Sequence, residues 1–140
     1  MKYTNEELCQ KAIEAMQRSY SPYSNCKVGA ALLARSGKVY LGCNIENASY
    51  SPTICAERTA FAKAVSEGEC EFEAIAIVGS PNGKIDRVFA PCGVCRQVMA
   101  EFCDADNFRI LLVKAPNAYE EVTLAELLPY TFDRRSIEYS

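Results

Sequence analysis

Apolar positions first recur at helical spacing. Leu8, Ala12, Ile13, Ala15 and Met16 fall mostly on one stripe, so residues 4–17 are expected to form a helix. Thr4 stands before it with Glu7 three residues on, the signature of a capping box. Ser19-Tyr20-Ser21-Pro22-Tyr23-Ser24 then reads as loop. Two short apolar runs, 28–34 and 39–43, flank Arg35-Ser36-Gly37-Lys38, and that turn chemistry predicts a β-hairpin. The polar stretch 44–53 predicts a loop over the core. An alanine-rich helix is expected over 54–67, stopped by Gly68.

Residues 72–78 alternate and then run apolar, as in a buried strand, and 80–83 reads as loop. Pro91 sits where a helix begins, and 92–103 carries a stripe through Val94, Val98 and Phe102. A third core strand is expected at 108–113. Thr123 and Glu126 cap a short helix over 123–128, and the tail from 129 is polar apart from its aromatics. This order predicts an α/β fold of three layers, α-β-α, with helices on both faces of a mixed sheet. No internal repeat or low-complexity segment interrupts it.

Length and composition narrow the function. The chain has 140 residues, which predicts a single domain over 1–140 with a core that needs no metal merely to fold. A net charge of −3 argues against a dedicated nucleic-acid partner, and no basic run exceeds Arg134-Arg135. No run reaches the ~18 apolar residues of a membrane span, and the polar first ten residues do not read as a signal peptide. A small-molecule partner and a cytoplasmic, reducing location are therefore expected. There are 8 cysteines and 0 histidines, so any zinc site must use cysteine, carboxylate or water.

Two pieces carry the chemistry, Cys55-Ala56-Glu57 and Pro91-Cys92-Gly93-Val94-Cys95. Both fall at expected helix N-termini, whose positive end favours thiolate over thiol. Facing each other, they would gather Cys55, Cys92 and Cys95 around one Zn²⁺ per subunit. Three ligands leave a fourth position for water, the pattern of a catalytic site. Zinc lowers the pKa of such a water to about 7. Glu57, two residues past Cys55, is placed to move protons rather than to ligate. The pair of motifs matches the known zinc deaminase pattern. The competing reading is a closed structural or redox site, with Cys43, Cys70 or Cys103 as a fourth ligand. Cys9, Cys70 and Cys103 read more simply as core or surface thiols. Three thiolates over-neutralise a divalent ion, which makes Arg58 the candidate donor to the sulfurs. Otherwise it is a solvated helix arginine.

From Tyr20 to about Phe132 the chain resembles the small homotetrameric cytidine deaminases of the three-cysteine zinc branch. The similarity rests on Pro22-Tyr23-Ser24, Val28-Gly29-Ala30-Ala31, Gly42-Cys43-Asn44-Ile45-Glu46-Asn47-Ala48, Cys55-Ala56-Glu57-Arg58 and Pro91-Cys92-Gly93-Val94-Cys95-Arg96-Gln97. The resemblance implies a mixed five-stranded sheet and a homotetramer whose sites are completed by neighbours. It implies substrate-binding roles for Asn44 and Glu46 at the ribose and for the Ala56 backbone at the pyrimidine edge. Tyr50 and Phe132 would complete a neighbouring subunit's site. On the residues alone, Asn44 and Glu46 read equally as an Asx turn and a solvated acid.

Cys26 departs from the resemblance, because the family usually places a phenylalanine there against the base. A thiol offers far less stacking area. The implied activity is hydrolytic deamination of cytidine and 2′-deoxycytidine in pyrimidine salvage. A deaminase of a cytosine-containing antibiotic of the blasticidin S type and a non-catalytic zinc-stabilised module are the rivals. Nucleic-acid editing would want a basic strand groove, which the composition lacks.

Overall fold

The computed structural model describes residues 3–138. Five strands form one sheet in the order β2-β1-β3-β4-β5. They are β1 (Cys26–Ala34), β2 (Val39–Cys43), β3 (Phe72–Pro81), β4 (Arg109–Ala115) and β5 (Ala118–Thr123). Only the β3–β4 pair is parallel, so the sheet is mixed as expected.

Alternation along the strands divides the core. Ala30, Leu32, Ile75, Ile77, Ile110 and Leu112 face one side, while Ala31, Leu33, Ala74, Ala76, Leu111 and Val113 face the other. On the second side α1 (Asn5–Met16) buries Leu8, Cys9, Ala12 and Met16. The first side is covered by α2 (Ala56–Ser66) and α3 (Gly93–Phe102), through Ala60, Phe61 and Met99. The result is the three-layer α-β-α arrangement, with Phe61 packed edge-on to Phe72 at 5.1 Å between ring centroids.

Local chemistry sets the element ends. Thr4 and Glu7 make the capping box of α1, and Thr123 and Glu126 make that of α4 (Leu124–Leu127). Gly68 follows α2 at φ +99°, the left-handed value that ends a helix without a Cβ clash. Two close approaches fix the helices on the sheet. A Cβ on Gly42 would stand 2.3 Å from the Ala56 carbonyl oxygen, and one on Gly29 would stand 2.2 Å from that of Ala12.

The structure differs from the expectation in four places. β3 runs on through Ser80 and Pro81, because Cys26, Lys27 and Val28 of β1 pair with Pro81, Ser80 and Gly79. The loop therefore starts after Pro81 rather than at Ser80. Ile54 lies outside α2, since its N–H and carbonyl pair with Ile45. The fifth strand is the partly exposed edge strand β5, whose Glu120 and Glu121 mask its periodicity. The tail forms a short helix, α5 (Arg134–Ile137), where Asp133 caps by accepting from the Arg135 N–H.

This topology makes one functional end. β2 runs antiparallel to β1, and β1 antiparallel to β3, so the C-terminal ends of β2 and β3 lie at the same edge. The chain leaves those ends to begin α2 and α3. Both helix N-termini therefore meet there, beside the start of β1.

Candidate active site

Cys55 and Cys92 are the N-cap residues of α2 and α3. Neither uses its side chain to cap the helix, so both sulfurs are free for another partner. Cys95 lies in the first turn of α3 and is buried. The Cys55 and Cys92 Sγ atoms are 3.7 Å apart, and Cys92 and Cys95 are 3.5 Å apart. All three sulfurs lie within 4.8 Å of one another. Zn–S bonds of about 2.3 Å in a tetrahedron give sulfur separations of about 3.8 Å, so the donor set and its spacing fit zinc. Cys43, Cys70 and Cys103 are not part of this cluster, so a closed four-cysteine site is not formed among the described residues.

The surroundings favour the thiolate at one of the three thiols. Hydrogen bonding from Cys95, helped by Arg58, draws the Cys55 thiol down to about 5. Cys95, bonded to Cys55 and buried, keeps its proton well above the ordinary range. Arg58 Nη2 donates to Cys55 Sγ at 3.5 Å, so the guanidinium does reach the cluster. Its Nε is buried with no hydrogen-bond partner among the described residues.

Glu57 occupies the first turn of α2 and is 4% exposed. Burial pushes its carboxyl up to about 7, with the neighbouring Cys55 charge adding to the rise. A carboxyl at that value populates both protonation states near neutrality, which suits proton transfer.

Glu57, Cys55, Cys92, Ala56 and Asn44 line one cavity of about 230 Å³. A second cavity of about 390 Å³ is lined by Tyr23, Ser24, Glu46 and Tyr50. Thr53 lines both, which makes them neighbours. Asn44 is buried and largely committed to the fold. Its Oδ1 accepts from the Val28 N–H at 2.9 Å and from the Ser19 hydroxyl, and its Nδ2 donates to the Cys26 carbonyl at 2.9 Å. Among the described residues its second Nδ2–H has no partner and is open to a ligand. Glu46 accepts from the Tyr23 and Ser24 N–H groups at 3.0 and 3.1 Å and from the Ser24 hydroxyl. The Ser24 hydroxyl leads in lowering its pKa, so it stands as a carboxylate.

Besides Glu46, which lines only the second cavity, three substrate-binding residues named from the sequence stand apart from the metal-side cavity. Cys26 pairs with Pro81 at the mouth of the sheet and does not line that cavity. Tyr50 is 74% exposed and lines only the second cavity. Phe132 is 63% exposed and lines neither, although Gln97 Nε2 donates to its carbonyl at 2.8 Å.

Sequence reasoning missed other residues. Arg96 clamps the metal turn, donating from Nε to the Pro91 carbonyl at 2.8 Å and from Nη1 to that of Leu127 at 2.6 Å. Thr59 donates between the Cys43 and Cys55 carbonyls. Phe89 walls the metal-side cavity. Arg96 stood in the sequence stretch that carries the resemblance but without a role, and nothing in the pattern marks Thr59, which reads as an ordinary helix residue. Phe89 carried a signal in the apolar run Val88-Phe89-Ala90 directly before the Pro-Cys-x-x-Cys motif.

Similarity to known proteins agrees with this geometry. The family described as the cytidine and deoxycytidylate deaminase zinc-binding region matches residues 2–110. A cytidine deaminase of Sporosarcina psychrophila is 47% identical over 135 residues, covering 96% of each chain. One of Halalkalibacterium halodurans is 50% identical over 125 residues, covering 89% of this chain and 91% of the other. The crystal structure of cytidine deaminase from Burkholderia pseudomallei superposes with a TM-score of 0.85 at 42% identity, over 93% of this chain and all of that one. With three thiols at zinc spacing, a buried carboxyl beside them and matches of this extent, the chain belongs to the cytidine and deoxycytidylate deaminase family of zinc enzymes.

Proposed function

We propose that this chain hydrolyses cytidine and 2′-deoxycytidine to the corresponding uridines, with release of ammonia. The observation that carries the reading is the buried Glu57 carboxyl lining one cavity with the thiol cluster. Cys55, Cys92 and Cys95 would hold the zinc, which when bound supplies Lewis acidity that lowers the pKa of a water to about 7. Water adds to C4 of the base. Glu57 takes a proton from that water and gives it to N3, then carries a second proton to the departing amine. The balance is cytidine plus water giving uridine plus ammonia.

The free Nδ2–H of Asn44 and the Glu46 carboxylate are assigned to the ribose hydroxyls. A fixed donor and a charged acceptor there would discriminate against ligands lacking the sugar. The Ala56 backbone is assigned to the pyrimidine edge. Arg58 donates to the sulfurs and balances their charge. Tyr50 and Phe132 are assigned to a neighbouring subunit's site in a homotetramer, a role that fits their exposure. A cytoplasmic place in pyrimidine salvage follows from a free-nucleoside substrate.

Replacing Glu57 tests the assignment. Glu57→Gln should load zinc as the wild type does, because it removes no ligand. Its rate of uridine formation should fall by about 10²–10⁴, the share general acid–base catalysis contributes. A loaded variant within tenfold of the wild-type rate would remove Glu57 from the chemistry.

A further inference from the structure

Phe89 lies in the loop between β3 and α3, three residues before Cys92. Among the described residues lining the metal-side cavity it is the only aromatic; the other apolar contacts there come from Val28, Ala56, Ile77 and Ala90. The ring is seated on backbone. A Cβ on Gly79 would stand 2.2, 2.4 and 2.6 Å from its Cγ, Cδ2 and Cδ1 atoms. Such separations are impossible for a real side chain, so the ring requires glycine at this position.

Gly79 follows directly on the buried run Ile75-Ala76-Ile77-Val78, where a side chain would be the norm. A glycine at such a place marks a close approach of another group. Gly79 also pairs across the sheet with Val28, a second wall of the same cavity. The ring itself is only half-buried. It is thus a rigid, flat apolar surface held against the sheet at the edge of the cavity where Glu57 and the thiols converge. The thiol at Cys26 gives that cavity no wall.

A pyrimidine base is flat and aromatic, and its stacking on a fixed aromatic ring is a substantial part of base affinity. We infer that Phe89, seated on Gly79, is the residue on which the base stacks in this chain, and that this pair selects a flat pyrimidine over a saturated ring. The assignment rests on the cytidine reading above. A plug that merely fills the loop would not distinguish the two rings.

The test compares uridine with 5,6-dihydrouridine, which keeps the sugar and both carbonyls but loses the aromatic ring. Dissociation constants are measured by calorimetry on the zinc-loaded wild type, Phe89→Ala and Phe89→Leu. Stacking predicts that uridine weakens about tenfold or more in both variants, while dihydrouridine changes by less than about threefold. Equal weakening of both ligands, or none, overturns the assignment, as does a wild type that binds neither or does not prefer uridine. Phe89→Leu keeps an aliphatic contact on Gly79, so it carries the comparison where Phe89→Ala fails to load zinc. Wild-type turnover of cytidine in a parallel assay separates the two readings. Its absence removes the cytidine reading, whereas turnover with unselective Phe89 variants removes only the role of Phe89.

Discussion

In the proposed site three thiolates around a divalent ion would leave one net negative charge, and Arg58 is the guanidinium placed to meet it. Its Nη2 lies 3.5 Å from Cys55 Sγ, at the start of the same helix. Donors to metal-bound ligands commonly tune affinity by 10–100-fold, so Arg58→Ala should weaken zinc binding by about that factor. Competition with a chromophoric chelator measures it, and an unchanged constant would make Arg58 a bystander. At this scale the sequence was most informative where chemistry is local. Two cysteines three apart after a proline, and a cysteine two before a glutamate, are visible as strings. Asn44 was less legible, because its three side-chain hydrogen bonds are made with Ser19, Cys26 and Val28, distant in the sequence and joined only by the fold. Phe89 stood in a visible apolar run, but its seat on Gly79 was hidden for the same reason, since the two are joined only by the fold.

Two helices, α1 and α2, are held on the sheet by close contact between backbones, and this makes their positions testable. The Ala56 carbonyl oxygen and the Ala60 N–H nitrogen would lie 2.3 and 2.6 Å from a Cβ on Gly42. Gly42→Ala therefore pushes α2 off β2 and moves Cys55 and Glu57 with it. Overpacking of this kind costs about 1–3 kcal/mol, and zinc affinity should fall alongside the melting temperature. Gly29→Ala strains α1 instead, whose residues do not line the metal-side cavity. It should lower stability comparably while the folded fraction keeps wild-type zinc affinity. Equal effects of both on zinc would contradict the separate roles given to the two faces. Helices α1, α2 and α4 were legible because caps and stripes are short-range signals: Thr4 with Glu7, Gly68, and Thr123 with Glu126 all stand where the pattern put them. The end of β3 and the place of β5 were not. β3 is prolonged by pairing with residues some fifty positions earlier, and β5 is an edge strand whose charges face water.

At the level of the whole molecule, the exposed aromatics matter most. Tyr50, Tyr130 and Phe132 are 74%, 107% and 63% exposed, the most exposed of the large aromatics among the described residues. In the proposed tetramer these residues find cover, and Phe132 acts in a neighbour's site. Mixing the Glu57→Gln and Phe132→Ala chains under exchange should then yield more activity than the two alone, because some mixed sites regain both groups. Activity equal to the average of the parents would place Phe132 outside the neighbour's site. The three-layer order could be read from the succession of elements, whereas the meeting of α2 and α3 at one edge needed the strand directions. The central claim is that three thiols and Glu57 form a zinc-dependent nucleoside deaminase. The most direct measurement is cytidine turnover by the full chain loaded with zinc, following uridine by absorbance and ammonia by a coupled assay. The account predicts equimolar uridine and ammonia, with activity lost on chelation and restored by zinc. A folded, fully metallated protein that leaves cytidine unchanged would contradict it.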